Sequence, residues 1–507
     1  MPRVAPHISL GTINLERSAS VALHRQLYRA IRDKIITHQL LPGDRMPSSR
    51  ALSEEAGLGR NTVVNAYNQL LAEGLLESSV GSGTIVSSSL PEELLRDGSD
   101  HDAGRTAGRH GPSAGDSDGL PGISERAAAL QDVPYLEQTR LVPFTPSFPH
   151  IDERFITVWG SLMNRAWRRM ARNQFGYPSA LGYHPLREAI ASYLRTSRGV
   201  KCVSRQVIIT DGAQQALNLT AQLLLNPGEA VWIEDPSYDG AKAAFRNVPA
   251  RLVPVPVDAA GFDMEAALAT DSSARAVYIS PSNQYPMGVA MDLNRRLQLI
   301  RWAEENASWI IEDDYDSEFR YGGDPVMSLQ GIDRSERVIY VGTFSKVLFP
   351  GLRLGYMVAP MDLVEPIHAL RAHADRGSPL FEQIVLNDYI REGHFSRHIR
   401  RMRKLYADKR ASLLTALHEH LGDLVEMNDC GAGLHIVVRL PEGVDDNVVS
   451  LALRTRGYEV PSLSSYALKR SERGGLLFGF TALAKEDMDG AVARIRPVLA
   501  DLVSRPH

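Results

Sequence analysis

Over residues 21–86 the apolar positions trace three short helices and a hairpin. Leu23, Leu27, Ile31 and Ile35 recur every four positions with Arg25, Arg29, Arg32 and Lys34 interleaved, which predicts an amphipathic helix. Pro42-Gly43-Asp44 stops it. Pro47-Ser48-Ser49 opens a second helix through Ala51, Leu52 and Ala56, ending at Gly57. A third covers residues 61–73 on Val63, Val64, Tyr67, Leu70 and Leu71, and Gly74 closes it. Residues 75–78 and 84–86 flank Gly81-Ser82-Gly83 as a small β-hairpin. Three helices and a hairpin fit a winged helix-turn-helix, whose third helix enters a DNA major groove; a small helical domain of another kind has the same outline.

From Phe144 onward the pattern alternates strand and helix, as in an α/β domain with a mainly parallel sheet. Buried strands are predicted at 206–210, 230–233, 276–280, 309–311 and 338–341, and residues 186–194 look helical. A polar or aromatic cluster follows each strand: Asp211-Gly212-Ala213-Gln214, Glu234-Asp235-Pro236-Ser237-Tyr238, Pro281-Ser282-Asn283-Gln284-Tyr285-Pro286, Glu312-Asp313-Asp314-Tyr315 and Thr343-Phe344-Ser345-Lys346. These are carboxyl ends of strands, where open α/β sheets bind ligands.

The last cluster carries the most specific chemistry. Lys346 stands among Phe344, Val347, Leu348 and Phe349, after the hydroxyls of Thr343 and Ser345 and seven residues before Arg353. An ordinary loop lysine is simply solvated. An amine among apolar groups gives up its charge more readily and attacks carbonyls to form a Schiff base, while hydroxyls and an arginine suit a phosphate. Together they point to pyridoxal phosphate. Its ring nitrogen needs an anion, for which Asp313 is the choice; Tyr315 can donate to its phenolic oxygen and Tyr238 can stack on its face, though each tyrosine is equally at home as a core aromatic. The glycine turn at Gly212 offers backbone N–H groups to an anion.

Composition narrows the class. Between residues 97 and 122 the chain reads DGSDHDAGRTAGRHGPSAGDSDGLPG, too poor in large apolar groups to offset the cost of ordering it, and the expected organisation is a head at 15–86, a flexible linker at 87–140 and a large domain at 141–505. A net charge of −4 confines any nucleic-acid contact to a local patch. Residues 21–86 carry seven Lys/Arg against six Asp/Glu, so placement matters more than excess: Arg45, Arg50 and Arg60 sit at or just before helix starts. Two cysteines give no disulfide framework. The start, MPRVAPHISL, lacks a basic-then-apolar leader and no apolar run approaches the ~20 residues of a membrane span, so a cytoplasmic protein without membrane partner is expected. No metal site is expected.

Residues 40–86, LLPGDRMPSSRALSEEAGLGRNTVVNAYNQLLAEGLLESSVGSGTIV, closely resemble the GntR family of bacterial transcription regulators. The resemblance implies that Arg50, Arg60 and Thr62 contact double-stranded DNA, with the wing tip from Gly81 near the minor groove; Val64 stands where some relatives have another arginine. From 141 to about 500, DGAQQAL, EDPSY, EDDYDSEFRY and GTFSKVLFPGLRLGY resemble a fold-type I pyridoxal-phosphate aminotransferase, which implies a large domain with a mainly parallel sheet and a smaller C-terminal subdomain. That similarity implies an internal aldimine on Lys346, Asp313 on the pyridinium, Tyr315 on the phenolic oxygen and Tyr238 on the ring face. Gly212, Ala213, Gln214, Thr343, Ser345 and Arg353 would hold the phosphate, and Tyr177 would reach a neighbour's phosphate across a homodimer. The whole arrangement resembles the MocR-type subgroup of GntR regulators. Departures are Tyr285 where the fold usually has asparagine before proline, Leu477 where it has a carboxylate-binding arginine, and Gly240 where a GABA-responsive relative is expected to have arginine; Arg473 is the substitute at hand. The resemblance therefore implies a regulator that senses an amine, an amino acid or pyridoxal phosphate itself through Lys346. A working aminotransferase with a DNA-binding head, and a large domain kept only as a dimerising scaffold, are the alternatives.

Overall fold

The computed structural model describes residues 15–16, 21–79, 83–87, 130, 141–322, 327–428, 430–469 and 473–504. The chain divides into two compact units, Met1–Asp118 and Gly119–His507.

In the first unit, helices α1 (Leu23–Ile36), α2 (Ser49–Glu55) and α3 (Arg60–Ala72) precede an antiparallel hairpin of β1 (Leu76–Ser79) and β2 (Gly83–Val86). Leu27, Ile31 and Ile35 bury one stripe of α1, as the four-residue spacing predicts. Ser48 caps α2 by accepting the Ala51 N–H at 3.1 Å. On α3 the buried stripe is Val63, Ala66, Tyr67 and Leu70, while Val64 and Leu71 stay half-buried at its flanks. Tyr67 donates its hydroxyl to the Pro47 carbonyl at 2.9 Å, fastening α3 to the loop before α2.

The second unit is built on an eight-stranded sheet in the order β3-β10-β9-β8-β7-β4-β5-β6. The strands are β3 (Val207–Thr210), β4 (Ala230–Asp235), β5 (Arg251–Asp258), β6 (Gly261–Phe262), β7 (Ala276–Ile279), β8 (Trp309–Asp314), β9 (Val338–Thr343) and β10 (Gly355–Val358). Five neighbours, β9-β8-β7-β4-β5, are parallel, and β10 runs antiparallel between β3 and β9. Strand β9 is buried along its whole length: Tyr340 joins one core cluster, Ile339 and Val341 another on the opposite face. That is why it reads as a continuous apolar run rather than an alternating one. A second, antiparallel sheet, β11 (Glu426–Asn428), β12 (His435–Arg439) and β13 (Gly475–Gly479), belongs to a smaller C-terminal subdomain with the helices His394–Leu421 and Met488–Val503.

Parallel pairing brings the carboxyl ends of β4, β7, β8 and β9 to one edge of the sheet. Gly355, first residue of β10, faces both Thr343 and Thr210. A Cβ there would lie 2.8 Å from Gly212 Cα and 2.9 Å from the Gly342 carbonyl oxygen, so only glycine lets the β3 and β9 loops close together.

Candidate functional site

Asp313 lies near the end of β8 and is 4% exposed. Tyr278, on the neighbouring strand β7, donates its hydroxyl to Asp313 Oδ2 at 2.7 Å; Oδ1 is buried and has no partner among the described residues. Burial, opposed by that hydrogen bond, pushes the Asp313 carboxyl up to about 6. Lys346 is half-buried and makes no hydrogen bond or ion pair among the described residues. Burial lowers its amine from the ordinary lysine value, against the attraction of Asp316 and Asp313. The structure therefore gathers an unpartnered carboxylate oxygen and an unpartnered amine at one strand edge.

The β3 side supplies an anion cradle. Gly212 has φ +94° and caps the helix Ala213–Leu224, whose first N–H groups, including those of Ala213 and Gln214, have no intrahelical acceptor. Arg353, in the left-handed region at φ 51°, donates Nη2 to the Asp211 carbonyl at 2.8 Å, and a Cβ on Gly212 would sit 3.6 Å from its Nη1. Thr343 ends β9 and its hydroxyl accepts the Ser345 N–H at 3.2 Å. Tyr238 leads from β4 into this region; its hydroxyl donates to Gln214 Oε1 at 3.4 Å, and burial pushes its phenol up to about 12. Tyr315 is buried, and burial with the nearby Asp316 raises its phenol well above the ordinary value. Tyr177 stands apart: it is 83% exposed, with the Arg376 guanidinium 5.0 Å from its ring centroid.

Two features escaped the sequence reading. Asn283 Nδ2 lies 3.0 Å from the Tyr315 hydroxyl and 2.9 Å from Asp316 Oδ1, so an amide two residues before Tyr285 meets Tyr315. Tyr285 itself packs edge-on against Tyr315, Tyr466 and His435, with centroids 5.7, 5.3 and 5.6 Å away. Leu477 is wholly buried in an apolar cluster with Met287, Val437, Leu463 and Tyr466, and carries no charge to the site. Arg473 does not replace it: its guanidinium meets Glu426 at 2.6 Å and the Leu440 carbonyl at 2.7 Å.

In the first unit Arg45, Arg50 and Arg60 are all exposed. Arg60 is the first residue of α3, and Thr62 lies in its first turn, half-buried. The exposed face of α3 adds Asn61, Asn65, Asn68 and Gln69, amides that can read base edges but gave no signal in the sequence. Arg45 pairs with Ile85 of the hairpin, and its guanidinium passes within 3.4 Å of where a Gly83 Cβ would be. Arg50 spends part of its donor capacity on Glu54 at 3.4 Å. Gly81 lies outside the described residues.

A mainly parallel sheet carrying a buried acid, a lysine whose amine burial lowers and a glycine turn at one edge defines a domain built for pyridoxal phosphate, here following a winged DNA-binding head. Residues 152–495 match the family described as aminotransferase class I and II, and residues 23–86 match the bacterial regulatory proteins of the gntR family. The chain is 35% identical to the probable rhizopine catabolism regulatory protein MocR of Rhizobium meliloti, over 97% of this chain and 96% of that one. It is 30% identical to the pyridoxine biosynthesis transcriptional regulator PdxR of Corynebacterium glutamicum, over 95% and 97%. Among solved structures it is similar to the α-aminoadipate aminotransferase LysN of Thermus thermophilus, complexed with N-(5'-phosphopyridoxyl)-L-leucine, at 25% identity, TM-score 0.68, 75% of this chain and 98% of that one. A kynurenine aminotransferase of Pyrococcus horikoshii in complex with PMP matches at 27%, TM-score 0.66, 75% and 95%. The chain belongs to the GntR family as a MocR-type regulator: a DNA-binding transcription regulator with a fold-type I aminotransferase domain whose cofactor is pyridoxal 5'-phosphate. Among the described residues no helix is long and apolar enough to cross a membrane.

Proposed function

We propose that the large domain is a sensor, in which Lys346 holds pyridoxal phosphate and yields it to an amine or amino-acid effector, and that this exchange changes how the head engages a promoter. The observation that carries the reading is the pair of unpartnered groups, Asp313 Oδ1 and the Lys346 amine, at one sheet edge. When bound, the cofactor supplies an aldehyde that primary amines capture reversibly and a ring that stays protonated beside an anion. Asp313 is the anion for the ring nitrogen, oriented by Tyr278. Tyr315 and Asn283 serve the phenolic oxygen, and Tyr238 the ring face. Gly212, Ala213, Gln214, Thr343, Ser345 and Arg353 take the phosphate.

The working unit is a homodimer in the cytoplasm, where the DNA is. In support, Ile156, Trp167, Phe175 and Tyr177 are each at least 60% exposed, and Trp167 packs edge-on against Phe175, large apolar side chains of the kind an interface buries. Tyr177 reaches the phosphate of the other copy, which accounts for its exposure here. Segment 87–140 is the linker that lets the head respond. On the DNA side Arg50, Arg60 and Thr62 face the major groove, Arg45 the flanking backbone, and the wing tip from Gly81 to Thr84 the minor groove. Control of this kind requires the effector to bind the two arrangements with different affinity. The buried apolar surroundings of Leu477 favour sensing over transamination of ordinary α-amino acids.

The test is to footprint the purified full chain upstream of its own and adjacent genes, with and without pyridoxal phosphate and a panel of amines, while following the cofactor's absorbance. A single-turnover spectral change with an altered footprint is the expected result. Sustained conversion of an amino acid and a keto acid would make the protein an aminotransferase with a DNA-binding head.

A further inference from the structure

Beyond the wall formed by Asn283 and Asp316 lies a cavity of about 440 Å³. Its other sides come from the end of the helix His184–Ser197, the loop that follows β8, Arg403 of the long helix His394–Leu421, and Ala432. Most of its polar groups are already engaged. Arg198 is paired with Asp314 at 2.7 Å and donates to Ser282 Oγ at 2.9 Å. Tyr193 donates to Glu318 Oε1 at 2.9 Å, and Asn283 holds both oxygens of Asp316.

Among the described residues Asn283 Oδ1, a buried acceptor, is left without a partner, and Arg320 is the unengaged cation. Its backbone is fixed by pairing with Ala432, its side chain is half-buried, and its Nε is buried without a partner. The guanidinium forms no hydrogen bond or ion pair among the described residues. Arg403, at the exposed mouth, uses Nε on the Glu318 carbonyl at 2.9 Å, and no bond is made by the rest of its fork. The Ser317 hydroxyl, also on the lining, is likewise unengaged among the described residues. The acids facing these donors are weak competitors, since burial raises the carboxyls of both Asp316 and Glu318 above the ordinary range. A guanidinium withdrawn from water without an acceptor is costly, and a planar carboxylate matches its fork.

We propose that this cavity binds a small carboxylate-bearing molecule, held by Arg320 with Arg403 and Ser317, at a site separate from Lys346 but sharing the Asn283–Asp316 wall. The shared wall gives the site a means of influence. The Asn283 amide touches both Asp316 and the Tyr315 hydroxyl, so a ligand that draws on Asp316 alters the hydrogen bonding of the Lys346 pocket. The cavity also spans the junction with the C-terminal subdomain: the Tyr321 N–H donates to the Gly431 carbonyl at 2.9 Å and the Gly433 N–H to the Phe319 carbonyl at 2.8 Å.

The experiment is calorimetric titration of succinate into the full chain loaded with pyridoxal phosphate, so that the phosphate cradle is filled. Wild-type protein is expected to bind succinate saturably, and Arg320→Gln to bind about tenfold more weakly or worse, as loss of a charge-assisted hydrogen bond predicts. Arg320→Lys, which keeps the charge and loses the fork, and Arg403→Gln are expected to lose about threefold each. They decide the matter if Arg320→Gln does not fold, as judged by its thermal midpoint. No saturable binding to wild type at concentrations on the order of 10 mM, or affinity unchanged in the folded variants, overturns the proposal.

Discussion

Tyr278 and Asp313 form a directional pair across two parallel strands: the phenol occupies Oδ2 at 2.7 Å and leaves Oδ1 buried and empty-handed. Tyr278 of β7 is registered on Ile311 of β8, two residues before Asp313 and so on the same face of the sheet. A buried carboxylate with one hydrogen bond is poorly satisfied until a cation faces its other oxygen. Asp313→Asn keeps the shape and an acceptor for Tyr278 but removes the charge. Its affinity for pyridoxal phosphate is expected to fall about a hundredfold, in line with breaking a buried charge pair. Equilibrium titration by cofactor absorbance measures it, and an affinity within threefold of wild type (about 0.7 kcal/mol) would remove Asp313 from the ring-nitrogen role.

Three buried carboxyls should each cost the cofactor-free protein stability as the medium turns from acid to neutral. Burial raises Asp313 to about 6, and Glu234 and Glu312 to about 7. A carboxyl raised on folding holds more protons in the native than in the unfolded chain over that interval. Its stabilisation is complete below the ordinary carboxyl range near pH 4 and is lost as pH climbs through 6 to 7. Burial lowers His398 to about 4 and His150 and His435 below the ordinary value, an opposing contribution common to wild type and variant. Urea midpoints taken from pH 4 to 8 on both should therefore show Asp313→Asn gaining about 2–3 kcal/mol relative to wild type towards the neutral end.

How far the sequence revealed this arrangement differs from place to place. Strands β3, β4, β7, β8 and β9 were legible because each is buried on both faces and reads as an unbroken apolar run ending in a polar cluster. Strand β5 was not, because Pro254 and Pro256 interrupt its pattern, and a proline usually argues against a strand with neighbours on both sides. The C-terminal sheet was missed: β11 is only three residues long, and β13 carries glycine at both ends of a short apolar run. Within the site, Lys346 and Asp313 announce themselves by local context, whereas Asn283 acquires its part only when the loop after β7 folds back onto Tyr315. Spacing from Pro286 pointed instead to Tyr285, whose edge-on packing against three aromatic rings is a tertiary fact with no local signature. Unpaired atoms such as Arg320 Nε are invisible in one dimension.

Gly433 offers a test of that folded-back arrangement. It adopts φ +83°, and a Cβ on it would lie 2.6 Å from Asn283 Nδ2 and 3.1 Å from Asp316 Oδ2. Gly433→Ala adds backbone strain and a collision with two side chains that hold each other. A loss of about 1–3 kcal/mol is expected, read as a lower urea midpoint, with weakened cofactor binding because Asn283 must move off Tyr315. A variant as stable as wild type would show that the Asn283–Asp316 contact is readily given up.

The head can be tested separately. Arg60 opens α3, is exposed and forms no ion pair among the described residues, so its whole fork is free for a base edge. Arg60→Ala is expected to cost about 1–3 kcal/mol at the footprinted operator and much less on unrelated DNA. Arg45, against the hairpin, should act on phosphate: Arg45→Ala weakens binding evenly across sequences and lowers the salt slope by about 1. Gel-shift titrations at several salt concentrations separate the two behaviours, and equal loss on operator and random DNA for Arg60→Ala would place that residue on the backbone.

Lys346 ought to lower the stability of the protein it serves. Its amine is half-buried without a hydrogen bond or ion pair, and burial lowers it from the ordinary 10.5 even though Asp316 and Asp313 attract it; the net direction says that lost hydration outweighs that attraction. A lysine lowered on folding binds fewer protons in the native than in the unfolded chain. The native state is therefore penalised at neutral pH, and the penalty fades as pH rises towards 10.5, where the unfolded amine also loses its proton. Lys346→Met keeps the length of the side chain and removes the charge. The cofactor-free variant should be more stable than wild type at pH 7, with the two converging near pH 10, and it should no longer give the absorbance of lysine-bound cofactor. Urea midpoints at both pH values check the first half and a spectrum with added pyridoxal phosphate the second. A variant that keeps the wild-type spectrum would mean that another amine carries the cofactor; one less stable at pH 7 would mean that the two aspartates need this lysine more than burial resents it.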